Sequence, residues 1–343
     1  MTPALAQYPQ TLRHVRQQAA RQRAAARRAG TAPIGVRSDS DAVTMLREML
    51  RPLTDYTASE QTWVAQGGFT SQQTIKGNTR GDVIRYYQSP AFLRGDIMLT
   101  GPGKYAYYRA ATRTLTEVPP AGGQEDERDK RIVAGIRQRI FAARITGNES
   151  VAGINAVIIL VSPTNPQQQG YAKFWIDPVT HIRLKVEIAN GASAKVSSSE
   201  LSGVVVGPAA NVTARDFQPA QFSGVLTREV KRERVGSLQD AAPRLPFHAL
   251  QPGNLPPGFR LEGVQVLTAP ARVGLFLRYT DGVTVFTLTE HRVRAGQRPR
   301  SPAVQGPEHW YVGVGDYDLD VVYRGHLPAA QEQMVRDSLQ PAR

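Results

Sequence analysis

The sequence predicts a mainly β protein of the α+β class, built from antiparallel sheets. The clearest evidence is the segment from Tyr171 to Asn190, where apolar and charged residues alternate on both sides of Asp177-Pro178-Val179-Thr180. Alternation with a period of two is typical of a strand with one buried face, and an Asp-Pro pair is typical of a turn. The 24 prolines and 30 glycines of the 343 residues also favour many turns between short strands.

Residues 1–39 form an arm rich in Arg, Ala and Gln, which we expect to be mobile or marginally helical. Seven arginines and no acidic residue lie within residues 1–38, so the rest of the chain carries only +6 of the net charge of +13. The arm contains a single aromatic residue, Tyr8. A solvated tail is therefore favoured over binding to nucleic acid or to an anionic membrane.

The N-terminal sequence leaves the question of export open. No apolar run approaches the ~18–20 residues of a transmembrane segment, and the apolar middle of a signal peptide is not evident. Ala4-Leu5-Ala6 nevertheless has the small-residue pattern that ends such a peptide. An export segment upstream of this sequence and a chance match both remain open.

Residues 40–207 predict a first domain of two helices and many strands. Ser40 or Asp41 is a suitable N-cap for a helix extending to about residue 53, with Leu46, Leu50 and Leu53 on one face. A second helix is predicted over residues 124–143, with an acidic first turn and an apolar stripe that includes Ile140. Strands are predicted over residues 61–64, 69–76, 82–88, 95–99, 104–109 and 113–118, and again between residues 149 and 206.

Residues 208–246 are predicted to be an irregular linker, because charged residues and prolines interrupt any periodicity. Residues 247–343 then predict a small domain with an antiparallel sheet and one helix. Its signals are a hairpin at Asp281-Gly282 and a second turn near Gly315-Asp316. Pro328 is expected at the first position of the closing helix.

The residues that carry chemistry in enzymes and metal proteins form no recognisable pattern here. Cysteine is absent, the six histidines are scattered, and Ser197-Ser198-Ser199 has no nucleophile-elbow sequence around it. Asp316, Asp318 and Asp320 alternate as on the exposed face of a strand, without the glycine and glutamate of a calcium loop. We therefore predict a non-enzymatic protein with no catalytic residue, no cofactor and no metal site.

Four segments resemble the RseB/MucB family of periplasmic regulators, whose large domain is similar to the LolA-type lipoprotein carriers. The resemblance covers about residues 41–343, although Ile154 stands where the family usually has arginine. It implies a half-open antiparallel β-barrel with helices across its mouth, followed by the smaller sheet-and-helix domain. The segments are residues 45–49 with 55–56, residues 151–154 with 175–180, residues 254–259 with 279–283, and residues 312–313 with 325–328.

The resemblance also implies a function in the periplasm or extracytoplasmic cell envelope. Such a protein is expected to bind the extracytoplasmic part of a membrane-bound anti-sigma factor and to respond to lipid-like ligands. A lipid or lipoprotein carrier of the LolA type is the alternative. Because a carrier needs only the barrel, residues 247–343 favour the regulator.

A lipid ligand would need an apolar cavity inside the half-barrel. Large apolar residues in the predicted strands and turns, nearly all of them aromatic, are the candidates for its lining, although an ordinary core position is favoured for any one of them. The candidates are Trp63, Phe69, Ile75, Tyr86, Phe92, Tyr107, Phe174 and Trp175.

Overall fold

The computed structural model describes residues 39–64, 69–102, 104–116, 125–165, 170–189, 195–218, 226–228, 231–269, 272–293, 309–325 and 327–342. The predicted N-terminal arm lies almost wholly outside these ranges. The side chain of Phe69 is also outside the described part of the chain.

A sheet of twelve strands dominates the first part of the chain. Its strand order is β12-β6-β5-β4-β3-β2-β1-β11-β10-β9-β8-β7, and every pair is antiparallel except β12 with β6. Within the described residues β7 and β12 each have a single neighbour, so the sheet stays open as the half-barrel prediction requires. The strands are β1 (Tyr56–Val64), β2 (Phe69–Gly77), β3 (Val83–Ser89), β4 (Ile97–Gly101), β5 (Lys104–Arg109), β6 (Thr114–Thr116), β7 (Phe141–Val151), β8 (Ile154–Pro163), β9 (Tyr171–Ile176), β10 (Arg183–Ala189), β11 (Lys195–Val206) and β12 (Leu226–Arg228).

Two helices cover one face of the large sheet, which we call the helix-covered face. They are α1 (Asp39–Glu48) and α2 (Glu125–Arg137). Leu46 of α1 and Ile132 of α2 share a core with strand residues such as Phe174, and all three are at most 2% exposed. Burying side chains of this size contributes about 1.5–3 kcal/mol each.

Both helices end earlier than the sequence predicted. Pro52 is incompatible with the interior of a helix, and Leu53 is 63% exposed rather than buried. Arg139 has a left-handed φ of 59°, which ends the turn after α2. Ile140 therefore lies just before β7 rather than on the helix.

The second sheet has six antiparallel strands in the order β13-β15-β16-β17-β19-β18. Its core includes Leu275, Phe286, Trp310, Tyr323 and Val335, each at most 2% exposed. The elements of this part are β13 (Lys231–Val235), α3 (Leu238–Ala241), β14 (Leu250–Pro252), β15 (Arg260–Ala269), β16 (Arg272–Thr280), β17 (Val285–Val293), β18 (His309–Val314), β19 (Tyr317–Arg324), α4 (Ala329–Asp337) and β20 (Leu339–Pro341), with β14 paired to β20.

Pro328 is the N-cap of α4 rather than its first helical residue, because its ψ of 146° is extended. Proline still suits the position, since its backbone has no N–H that would need a partner. The helix starts one residue later than predicted.

The predicted linker, residues 208–246, contains more regular structure than expected. Short 3-10 turns lie at Gly207–Ala210 and Ala214–Phe217, and Phe217 packs on the face of the large sheet opposite the helices. Strand β12 then joins the large sheet and β13 joins the small one. The chain thus passes from one sheet to the other between residues 228 and 231, and the predicted domain limits themselves stay a prediction.

Candidate functional site

A buried group of polar side chains occupies the helix-covered face where a lipid cavity was expected. Glu60 on β1 and Arg85 on β3 are 2% and 4% exposed. The Nε of Arg85 donates a hydrogen bond of 3.0 Å to Oε2 of Glu60, and Nε2 of Gln73 donates one of 3.1 Å to the same atom. Glu60 faces Gln73 across β1 and β2, so the three polar groups share one side of the sheet.

Arg183 on β10 connects this group to α2. Its guanidinium forms an ion pair and hydrogen bond with Asp129, and its Nη2 lies 3.8 Å from Oε1 of Glu60. All three side chains are largely buried. Helix α2 is therefore held on the sheet by charge as well as by its apolar stripe. We call Glu60, Arg85, Asp129 and Arg183 the interior ionic cluster.

A cavity of about 60 Å³ lies beside the interior ionic cluster, and Tyr56, Ile75 and Leu201 line it together with charged residues. A water molecule occupies about 30 Å³ and pockets for small organic ligands measure roughly 300–1,000 Å³, so this cavity has room for a few waters. Oε1 of Glu60, which lines the cavity, and Oε1 of Gln73 are buried without a hydrogen-bond partner. The polar lining suits water or a small polar group better than an acyl chain.

Phe174 and Trp175 lie on opposite faces of the large sheet, because they are consecutive residues of β9. Phe174 is in the core beneath the helices, whereas Trp175 is in a separate cluster with residues such as Ile158. The indole N–H of Trp175 donates a hydrogen bond of 2.7 Å to Glu149. These two residues therefore cannot line the same cavity.

The other predicted lining residues are dispersed as well. Trp63 is half-buried with the ammonium of Lys195 5.1 Å from its ring centre, and Phe92 is 67% exposed. Tyr107 on β5 donates a hydrogen bond to Asp96, which precedes β4. Tyr86 on β3 packs in the cluster around Phe217. Of the predicted residues with described side chains, Ile75 alone lines the cavity beside the interior ionic cluster.

The turn between β16 and β17 of the small sheet packs against the core of the large sheet. Val283 at this turn is 3% exposed and belongs to the core beneath α1 and α2. Oδ1 of Asp281 accepts hydrogen bonds from the amides of Val283 at 2.9 Å and Thr284 at 2.7 Å, which fixes the turn. The hairpin predicted at Asp281-Gly282 is thus also a contact between the two parts of the chain.

Asp320 is buried, although the sequence predicted an exposed position. It is 4% exposed, with Nε2 of His291 3.2 Å and Nδ1 of His309 2.9 Å from its carboxylate. Burial alone raises the pKa of Asp320, but the hydrogen bonds to the two histidines outweigh it and hold the pKa below its usual range. The alternation placed Asp318 and Asp320 on one strand face but did not reveal that neighbouring histidines cover Asp320.

Glu290 is the most deeply buried acid of the small sheet, with 0% exposure. Its Oε2 accepts a 2.9 Å hydrogen bond from the amide of Leu250, while its Oε1 has no partner. Burial raises the pKa of Glu290 to about 8, against the opposing effect of the Leu250 bond. This carboxyl is therefore protonated in the folded protein at neutral pH.

Sequence reasoning missed the interior ionic cluster. The only indication in the sequence is that Glu60 lies two residues after Ala58 in β1, so both side chains point to the same face of the sheet. This indication is weak, because the sequence alone does not show which face the helices cover. Among the described residues, no group of three or more metal-ligating side chains is arranged to hold an ion. No described helix is long and apolar enough to cross a membrane.

The open twelve-stranded sheet with its two helices and the smaller six-stranded sheet define a two-part, β-rich class of fold. Crystal structures of MucB share it: one has 18% identity, covers 89% of this chain and 98% of MucB, and superposes with a TM-score of 0.52. MucB in complex with MucA(peri) matches with 18% identity, 89% and 100% coverage and a TM-score of 0.52. The MucA/MucB complex of Pseudomonas aeruginosa matches with 17% identity, 89% and 99% coverage and a TM-score of 0.53.

These likenesses concern the fold, and they confirm the resemblance seen in the sequence: the chain has the MucB fold over both of its parts. No protein-family model matches the chain, and no protein with a curated description does so either.

Proposed function

We propose that this protein binds the extracytoplasmic part of a membrane-bound anti-sigma-type regulator, and that it acts by binding rather than by catalysis. The observation that carries the proposal is the likeness to MucB over both sheets, including the structures of MucB with MucA. A location in the periplasm or extracytoplasmic envelope is part of the same proposal.

The arrangement of the two sheets supports a partner that touches both. Val283 of the small part packs beneath the helices of the large part, so the two surfaces are held beside each other. Strands β12 and β13 follow each other directly along the chain, although they belong to different sheets. A protein segment lying across this junction would contact both sheets at once.

The carrier alternative has less support from the geometry. An acyl chain gains about 0.8 kcal/mol per buried CH₂ only where apolar walls surround it. The cavity of about 60 Å³ is small and is lined in part by Glu60, Arg85 and Arg183. A response to lipid would therefore need α2 to move away from the sheet, with Arg183 parting from Asp129.

Isothermal titration of the full chain tests the proposal, using purified extracytoplasmic segments of the candidate anti-sigma proteins encoded in the same genome. We expect saturable binding of one segment and no binding of the others. Failure of every segment to bind would contradict the proposal.

A fluorescent fatty acid titrated into the same protein tests the alternative. Saturable binding that is lost in Ile75→Glu, with circular dichroism unchanged, would favour a carrier, because Ile75 lines the cavity. Ile154→Glu is the matched control, because Ile154 is a half-buried residue on another strand.

A further inference from the structure

Arg232 on β13 is half-buried and has no carboxylate partner among the described residues. Its Nε is buried and makes no hydrogen bond. Arg85 and Arg183, the buried arginines of the large sheet, each form an ion pair with a carboxylate. A buried polar atom costs free energy unless it is hydrogen-bonded, and the Nε of Arg232 therefore differs from the paired Nε of Arg85.

The neighbours of the Arg232 guanidinium are two aromatic side chains, Phe276 and Tyr105. Its central carbon lies 5.8 Å from the ring centre of Phe276, which is itself 2% exposed. Burial lowers the pKa of Arg232 to about 10, and the nearby phenol of Tyr105 opposes this fall. No carboxylate among the described residues raises the pKa of Arg232.

Arg232 also lies at the junction of the two sheets. Tyr105 belongs to β5 of the large sheet, and β13 follows within a few residues of β12, which pairs with β6. Arg232 itself pairs with Leu267 in the small sheet. The position is therefore the place where a segment that crosses both sheets would pass.

We propose that Arg232 is the binding point for a carboxylate of the bound protein segment, either an acidic side chain or a chain terminus. A single planar guanidinium beside a phenol matches the two oxygens and single charge of a carboxylate. A phosphate usually takes several cations or backbone amides. This inference rests on the proposed function and adds the chemistry by which the partner is recognised.

The first test uses the full chain alone and compares its thermal unfolding in acetate, phosphate and chloride at equal ionic strength. We expect acetate to raise the Tm of the wild type above its value in chloride, by roughly 2 °C near saturation. Arg232→Gln should have a higher Tm than the wild type in chloride, because a half-buried charge without an ion-pair partner among the described residues is removed, and should show no response specific to acetate.

Arg234→Gln is the matched control, because Arg234 lies on the same strand and the same face but is exposed. It should behave like the wild type. A lower Tm of Arg232→Gln in chloride would assign Arg232 a purely structural role on Phe276 and overturn the inference. An acetate response that persists in Arg232→Gln, or a response to phosphate without one to acetate, would overturn it as well.

The second test measures the affinity of each variant for the partner segment found in the titrations described above. Loss of a charged hydrogen bond should weaken binding about 10- to 100-fold in Arg232→Gln. Arg234→Gln should change it by less than about threefold. Equal affinities of Arg232→Gln and the wild type would refute the carboxylate contact and leave the proposed function intact. Absence of any partner segment would refute the proposed function. In that case the acetate response still decides whether Arg232 binds a carboxylate.

Discussion

Replacing Glu290 by glutamine tests whether one buried acid makes the small sheet sensitive to pH. Glu290 is fully buried, and burial raises its pKa from 4.5 to about 8. In the unfolded chain the same carboxyl titrates near its ordinary value. Between these two pH values the folded protein keeps a proton that the unfolded chain has released.

The free energy of unfolding should therefore fall as the pH rises across this window, since the folded state binds the extra proton. One pKa unit corresponds to 1.36 kcal/mol, so the rise in the pKa of Glu290 lowers the free energy of unfolding by about 5 kcal/mol in total across this window. Glutamine has a similar shape and no charge at any pH. Glu290→Gln should match the wild type within about 1 kcal/mol near pH 5 and exceed it by several kcal/mol near pH 9.

Urea unfolding of the full chain at several pH values, followed by tryptophan fluorescence, measures this difference because Trp310 reports on the same core. Hydrogen exchange of the Leu250 amide gives a local measure, since that amide donates to Glu290. Glu233→Gln is the control, because the Glu233 side chain is 66% exposed. The reasoning fails if Glu290→Gln and the wild type lose stability in parallel, or if the variant is the less stable one near pH 9.

Three further substitutions test other parts of the structure by urea unfolding at neutral pH. Arg183→Met removes one of the two cations that contact the buried Asp129, the other being Arg128, and should cost about 1–3 kcal/mol, with increased hydrogen exchange in α2. Asp320→Asn removes the charge between two histidines and should cost about 1–3 kcal/mol; in the wild type this contribution is present above the ordinary Asp pKa and is lost as the pH falls below it. Gly77→Ala places a Cβ 2.2 Å from the ring of Tyr56 and should cost about 1–3 kcal/mol.

Each of these substitutions has a control in the same chain. Lys185→Gln removes a more exposed ion pair with Glu200 and should cost no more than about 1 kcal/mol. Asp318→Asn changes the neighbouring acid of β19, and Gly263→Ala meets no atom closer than 4.0 Å. A control that costs as much as its partner substitution would show that the cited contact is not the cause.

Local patterns predicted the strands of this protein well, and the reason is visible in β9 and β10. Their hairpin turns at Asp177, whose Oδ1 accepts a 3.0 Å hydrogen bond from the amide of Val179. Such turn chemistry depends on neighbouring residues and can be recognised in the sequence. The helix ends were predicted less accurately, because the apolar spacing continues to Leu53 beyond the helix-breaking Pro52 and because the left-handed Arg139 has no sequence signal of its own.

The candidate site was predicted less well, because alternation shows which residues share a face of a strand but not which elements cover that face. Phe174 and Trp175 are both large and aromatic, but as consecutive residues of β9 they point to opposite faces of the sheet. Asp320 was expected in water, yet the histidines beside it come from two other strands. Arg183 meets Asp129 across 54 residues of sequence, and such a contact depends on tertiary packing alone.

The direct succession of β12 and β13 has a consequence for any ligand that spans both sheets. Arg228 ends one strand and Lys231 begins the next, so three peptide units, at most about 11 Å, separate the ends of the two strands. A segment that has bound one sheet then meets the other as a tethered neighbour, at an effective concentration that reaches the millimolar range for short connections. Two individually weak contacts can thereby combine into tight binding, and cutting the chain between these strands would separate the two contributions.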